Sequence, residues 1–168
     1  MYEDSNIHPT CIIEPDVQIG KGCLIGPWNF IRNGTVIGDK CRIGPMNVFE
    51  GKLKVGNNVR MGTHINLGWY TTIEDYVFIA GHTTGANDKR IAYCRKLYDN
   101  DFKGYTIKRA ARIGLGVIFM PGVVVGEEAL VGTASLVTKN VKPMEIVYGV
   151  PAVHKGWVTS REKLLTSD

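Results

Sequence analysis

Residues 19–44 read IGKGCLIGPWNFIRNGTVIGDKCRIG, and in them Ile19, Ile25, Ile31, Ile37 and Ile43 recur every six residues. Outward from this stretch the period holds without a miss from Ile7 to Ile79, through Ile13, Phe49, Val55, Met61, Leu67 and Ile73. In a chain that is 44% hydrophobic, such a run in one register arises by chance with odds of about 10⁻⁵, so the repeat is structural. A period of six fits neither an amphipathic helix nor the alternation of an open strand. It predicts a parallel β-helix built from hexads.

Four residues after each of these positions come Cys11, Val17, Cys23, Asn29, Thr35, Cys41, Asn47 and their successors as far as Thr83. They are mostly small or β-branched, as suits a narrow interior whose coils stack about 4.8 Å apart. Glycine directly follows the apolar residue at 20, 26, 38, 44, 56, 62 and 68, which reads as a corner in need of backbone freedom. Three hexads close one triangular coil, so residues 18 apart lie above one another. The chain is expected to be all-β, with about six coils.

The pattern stops after Thr83 and resumes at Ile107, running through Ile113, Phe119, Val125, Val131 and Val137. The interval from Ile79 to Ile107 is not a multiple of six, so a segment of about 85–106 is expected to leave the coils of about 7–84 and 107–142. Long excursions in compact domains usually serve function. Residues of about 143–168 are expected to cap the stack, with a short helix over Ser160–Leu165. By length the whole chain, 1–168, is one domain.

Composition excludes several classes. No apolar run reaches the roughly 20 residues a membrane helix needs, and the opening MYEDSNIHPT lacks the pattern of a signal peptide. A cytoplasmic location follows as the expectation. Cys11, Cys23 and Cys41 fall on the inward position and read as free thiols, and no Cys-x-x-Cys spacing suggests a metal. Between Asp88 and Arg112 eight basic residues face three acidic ones, a local surplus suited to a phosphate-bearing ligand. Nucleic acid is disfavoured, because few aromatic residues interleave with these charges.

Histidine is the side chain best suited to base catalysis near neutrality. Of four, His64 and His82 are one coil apart and should project one above the other, with His82 at the mouth of the excursion. Asn87 and Asp88 follow and could orient an amine or a hydroxyl.

These residues resemble the left-handed β-helix acyltransferases of the hexapeptide-repeat type, and more narrowly the N-acetyltransferases that modify nucleotide-linked amino sugars for bacterial surface polysaccharides. The resemblance rests on IHPTCIIEP (7–15), IEDYVFIAGHTTGANDKR (73–90), ARIGLGVIFMPGVVVGEEALVGTASLVTKNV (111–141) and YGVPAVHKGWV (148–158). Members commonly carry Gly-Asn-Pro-Ala where this chain has Gly149-Val150-Pro151-Ala152, and Trp-His-Phe where it has Trp28-Asn29-Phe30.

The resemblance implies a left-handed coil, a homotrimer, and acetyl-CoA as donor in a groove between neighbouring copies. His82 and Asn87 would then line the acceptor end as catalytic residues. Gly114, Gly116, Gly132, Thr133 and Ala134 would admit the pantetheine arm, the Gly116 amide would hold the oxyanion, and Lys139 and Lys155 would meet coenzyme phosphates. Arg32, Glu50, His64, Asn66 and Asp88 are placed to hold the sugar or its nucleotide. The competing readings are an O-acetyltransferase acting on a free sugar or an antibiotic, a non-enzymatic scaffold, and a metal hydratase like the γ-class carbonic anhydrases. The last lacks a third histidine near the pair.

Overall fold

A computed structural model describes residues 4–89 and 102–159. Each hexad contributes a two-residue strand whose second member is the inward apolar residue. Strands 18 residues apart pair in parallel, as Leu24 with Arg42 and Ile25 with Ile43. The result is a prism with three sheet faces. Face A runs from the strand Asn6–Ile7 to Leu130–Val131, face B from Ile12–Ile13 to Leu136–Val137, and face C from Gln18–Ile19 to Val124–Val125. Face B alone holds seven strands, so the stack has about seven coils rather than the six expected.

Both inward positions of the hexad are buried along the stack, with Ile31, Phe49, Leu67 and Phe119 fully enclosed. Two polar ladders run inside. Asn29 Nδ2 donates to the carbonyls of Gly26 and Gly44, and Asn47 Nδ2 to those of Gly44 and Gly62. The Asn47 amide donates to Asn29 Oδ1 at 2.9 Å, and the Ile65 amide to Asn47 Oδ1 at 2.8 Å. The amides thus satisfy corner groups that a buried turn would otherwise leave unpaired. The thiols of Cys23 and Cys41 donate to the carbonyls of Gly38 and Gly56, each at 3.1 Å. Burial pushes the Cys41 thiol up to about 12, as expected of a small apolar filler.

The repeated glycines have a different role from the one the sequence suggests. The corner residue with positive φ lies two positions further on, as in Asp16, Trp28, Met46, His64 and His82, at 63°, 57°, 59°, 55° and 58°. The glycines after the apolar residue instead let adjacent coils touch. A Cβ on Gly44 would stand 2.5 Å from the Gly62 carbonyl oxygen, and one on Gly38 would stand 2.8 Å from Gly56.

The interruption is also more conservative than the spacing implies. Thr84–Gly85 is still a strand of face B, pairing with Ile118 and Phe119, and Thr106–Ile107 rejoins face C against Thr72 and Ile73. Gly85 occupies the apolar slot and Tyr105 the small slot of one hexad. The two trade volume: the buried Tyr105 ring fills the space a Gly85 side chain would need and stacks on Phe119 at 4.7 Å. Coil pairing therefore shifts from an 18-residue to a 34-residue offset, as in Phe78 with Arg112. Residues 90–101 of the excursion lie outside the described residues.

At the far end the strand Glu145–Gly149 adds in parallel to Leu130–Val131 and turns back antiparallel as Ala152–Trp157. This hairpin extends face A. The helix expected over Ser160–Leu165 lies outside the described residues, among which there is no helix. No helix there is long and apolar enough to cross a membrane.

Candidate functional site

The corner joining face A to face B carries one outward residue per coil: Trp28, Met46, His64, His82, Gly116 and Ala134. The left-handed backbone at this position turns each side chain away from the interior. His64 and His82 stack as expected from their spacing, with ring centroids 5.0 Å apart and planes 3° from parallel. Thr63 Oγ1 lies 2.8 Å from His64 Nδ1 and fixes the lower ring. The His82 amide donates to the Thr63 carbonyl at 2.8 Å, leaving the exposed imidazole on an anchored backbone.

One coil above His82 stands Gly116, with φ of 66° and no heavy atom within 4 Å of where its Cβ would lie. Gly116 thus interrupts the column of side chains above His82 and leaves a ledge over the imidazole. Its amide donates to the Gly81 carbonyl at 2.9 Å, so the oxyanion role expected of that N–H is already taken. Gly114 and Gly132 differ in kind from Gly116. A Cβ on Gly114 would stand 2.6 Å from the Thr133 amide nitrogen, and one on Gly132 would stand 2.7 Å from Tyr148 Cβ. Those two glycines serve coil contact, while Thr133 and Ala134 are exposed beside the ledge.

Asn87 lies at the other end of face B, beyond the strand Thr84–Gly85. It is half-buried, and its carbonyl accepts from the Lys103 amide at 2.8 Å. A single protomer therefore does not bring Asn87 beside His82. Asp88 follows it, also half-buried. Asn66 lies on face B directly below Thr84.

Arg32 and Glu50 are adjacent on face B, where Arg32 bridges Glu14 and Glu50 at 3.5 Å each. Their charges are partly spent on one another. Lys139 is exposed at the far edge of face B, and the ammonium of Lys155 lies over the Tyr148 ring at 4.9 Å. In the basic stretch, Lys108 pairs with Glu74 at 2.7 Å and Arg109 with Glu127 at 3.5 Å. Among the described residues no three His, Cys, Asp or Glu side chains gather as a metal site would require.

A family model described as the GMPPB C-terminal domain matches residues 6–97, more than half of the chain. The chain belongs to that family. Within this GMPPB C-terminal domain family member, 62 residues are 37% identical to the dTDP-3-amino-3,6-dideoxy-α-D-galactopyranose 3-N-acetyltransferase of Aneurinibacillus thermoaerophilus, covering 35% of this chain and 32% of that one. Over 97 residues it is 29% identical to the galactoside O-acetyltransferase of Lactococcus lactis, covering 56% of this chain and 41% of that one. The matched stretches thus span well under half of either curated relative.

Among solved structures, the chain is similar to an Asp-to-Asn variant of AntD, an N-acyltransferase from Bacillus cereus in complex with dTDP and coenzyme A. The TM-score is 0.74 at 25% identity, over 86% of this chain and 85% of that one. The shared fold is the left-handed hexapeptide-repeat β-helix of the acetyltransferases.

Proposed function

We propose that this protein is an acyl-coenzyme A-dependent acetyltransferase that moves an acetyl group from acetyl-CoA to the amino group of a nucleotide-linked sugar. One observation carries the reading: an exposed imidazole, His82, sits under a ledge cleared by Gly116. The likeness to AntD, which holds dTDP and coenzyme A, supports it.

The ledge offers the donor a path. With no side chain on Gly116 and only a methyl on Ala134, an extended thioester arm can lie against the corner, with its carbonyl above the His82 ring. The acceptor amine attacks that carbonyl, forming the C–N bond, and the C–S bond breaks to release coenzyme A. His82 takes the proton the amine sheds, and the leaving thiolate is protonated in turn. Much of the acceleration comes from holding the two reactants in register. Lys139 and Lys155 are exposed to meet coenzyme phosphates.

A site using both His82 and Asn87 requires two copies, since one copy places them at opposite ends of face B. The homotrimer that the family resemblance implies supplies this second copy, Asn87 of one protomer facing His82 of the next, with Asp88, His64 and Asn66 around the sugar. The chain acts as one domain, its coils carrying the chemistry and its excursion meeting the acceptor. The compartment is the cytoplasm, where free thiols such as those of Cys23 and Cys41 persist.

Release of free thiol from acetyl-CoA on addition of dTDP-amino sugars tests the reading directly. His82→Ala should lower turnover by about 100-fold or more while leaving donor affinity in place. Turnover that survives the substitution would pass the role to substrate positioning, and no thiol release with any acceptor would end the proposal. A hydroxyl acceptor is a second reading, supported by the likeness to the galactoside O-acetyltransferase. Galactosides in the same assay distinguish it.

A further inference from the structure

Face A carries a second feature, one the acyl-transfer reading does not use. A groove of about 720 Å³ crosses its early and middle coils, within the size range of small-ligand sites. Four of its lining residues are cationic, Lys40, Arg42, Arg60 and Arg112, and none of the lining is acidic. Arg42 and Arg60 are direct register partners on adjacent strands, and Phe78 separates Arg60 from Arg112 on the coils above.

Like charges one strand spacing apart repel, and stacking them is unfavourable unless an anion joins them. Among the described residues no carboxylate pairs with any of the four cations. Arg112 makes the point sharply: its Nε and Nη2 are enclosed and have no hydrogen-bond partner. A guanidinium stays charged at every accessible pH and carries five donors, so enclosing it unpaired is unfavourable unless a ligand completes it. Glu128, whose own Oε2 is also unpartnered, forms no ion pair with it.

The apolar part of the groove has a matching shape. Phe78 is 45% exposed and lies between two arginines, and Tyr76 borders it. An exposed ring flanked by guanidinium groups suits a nucleobase joined to phosphates, by aromatic stacking and forked Arg–phosphate bonds. Phe78 is also four residues before His82, so at most about 14 Å of chain separates the groove from the imidazole.

We propose that this groove binds a nucleoside diphosphate, with Arg42, Arg60 and Arg112 on the phosphates and Phe78 against the base. The proposal rests on the acceptor class proposed above, for which it names the residues that hold the nucleotide, leaving the sugar to extend across face A toward His82.

Titration calorimetry on the intact protein tests it with dTDP, pyrophosphate and thymidine as probes. The expected result is binding of dTDP, weaker binding of pyrophosphate, none of thymidine, and loss of affinity as salt rises. Arg60→Ala and Arg112→Ala should each weaken dTDP by about tenfold or more. Arg60→Lys should recover only part, because an ammonium lacks the fork. Lys54→Ala, on face C, should change nothing. Circular dichroism and elution volume establish that each variant keeps its fold and assembly, and a variant that changes assembly would overturn the proposal in favour of a contact between copies.

Absence of dTDP binding, or binding indifferent to the arginines, would overturn the assignment. So would competition between coenzyme A and dTDP, which would give the groove to the donor. Acetyl transfer without dTDP binding would end this proposal and spare the enzyme reading. Binding of dTDP with no acetyl transfer to any acceptor would do the reverse.

Discussion

The inward column Cys11, Asn29, Asn47, Ile65 and the outward column Leu24, Arg42, Arg60, Phe78 are built on neighbouring coils in the same 18-residue register. Inside, unlike residues succeed one another freely as long as volume and hydrogen bonding are met: a thiol, two amides and an aliphatic chain fill equivalent slots. Outside, volume is unconstrained: a leucine, two arginines and a phenylalanine align, Arg112 comes next in the column, and no carboxylate among the described residues pairs with any of the three arginines. An inward column is explained by the fold alone. An outward column of unpaired like charges is not, and it calls for a ligand.

Breaking the inside should therefore cost stability wherever it is done. Phe49→Ala empties a fully enclosed slot and should lose about 3–5 kcal/mol, read as a fall in the urea midpoint with little change in slope. Asn47→Ala sharpens the point that polar inward residues are structural. It strands the Ile65 amide and the Gly62 carbonyl inside the prism, for a loss of about 1–3 kcal/mol.

Outward changes should barely register on the same scale. Glu50→Gln weakens a solvent-facing pair with Arg32 and should cost under about 1 kcal/mol, less at high salt. A cost as large as that of Asn47→Ala would erase the distinction. Smallest is Glu145→Gln, read against pH. Burial opposes ionisation of Glu145, but the Lys142 amide and the His154 ring outweigh it and leave its pKa below the ordinary 4.5. A lowered carboxylate stabilises the fold above that ordinary value and loses the contribution as pH falls through the folded one. The difference between wild type and variant should accordingly exist at neutral pH and vanish in acid.

The same contrast explains what could be read from the chain alone. The interior was legible because two of every six positions face inward and their apolar or small character repeats. The stacking of His64 on His82 followed from one subtraction. The corner glycines misled because proximity to a bend looks like a need for flexibility, whereas Gly38 and Gly44 answer a contact with the next coil that only stacking reveals.

The Gly116 amide failed as an oxyanion donor because a hydrogen bond to Gly81, made across the insertion, leaves no trace in spacing. The arginine column of face A is hidden in the sequence for the same reason. Arg42 and Arg60 are 18 apart, but Arg112 joins their column only once the excursion is set aside, and charge counted along the chain assigned it to the loop.

The exchange of bulk between Gly85 and Tyr105 has a consequence for insertions. The prism is sealed at that joint by residues on either side of the splice, with Gly104 tight against the Tyr70 backbone and the Lys103 carbonyl accepting from the Gly122 amide, so the coils below and above meet there in the ordinary parallel register. The joint works as a socket. An insertion of another length joined at the same two residues would leave the pairing of Thr84–Gly85 and Thr106–Ile107 with their neighbours intact.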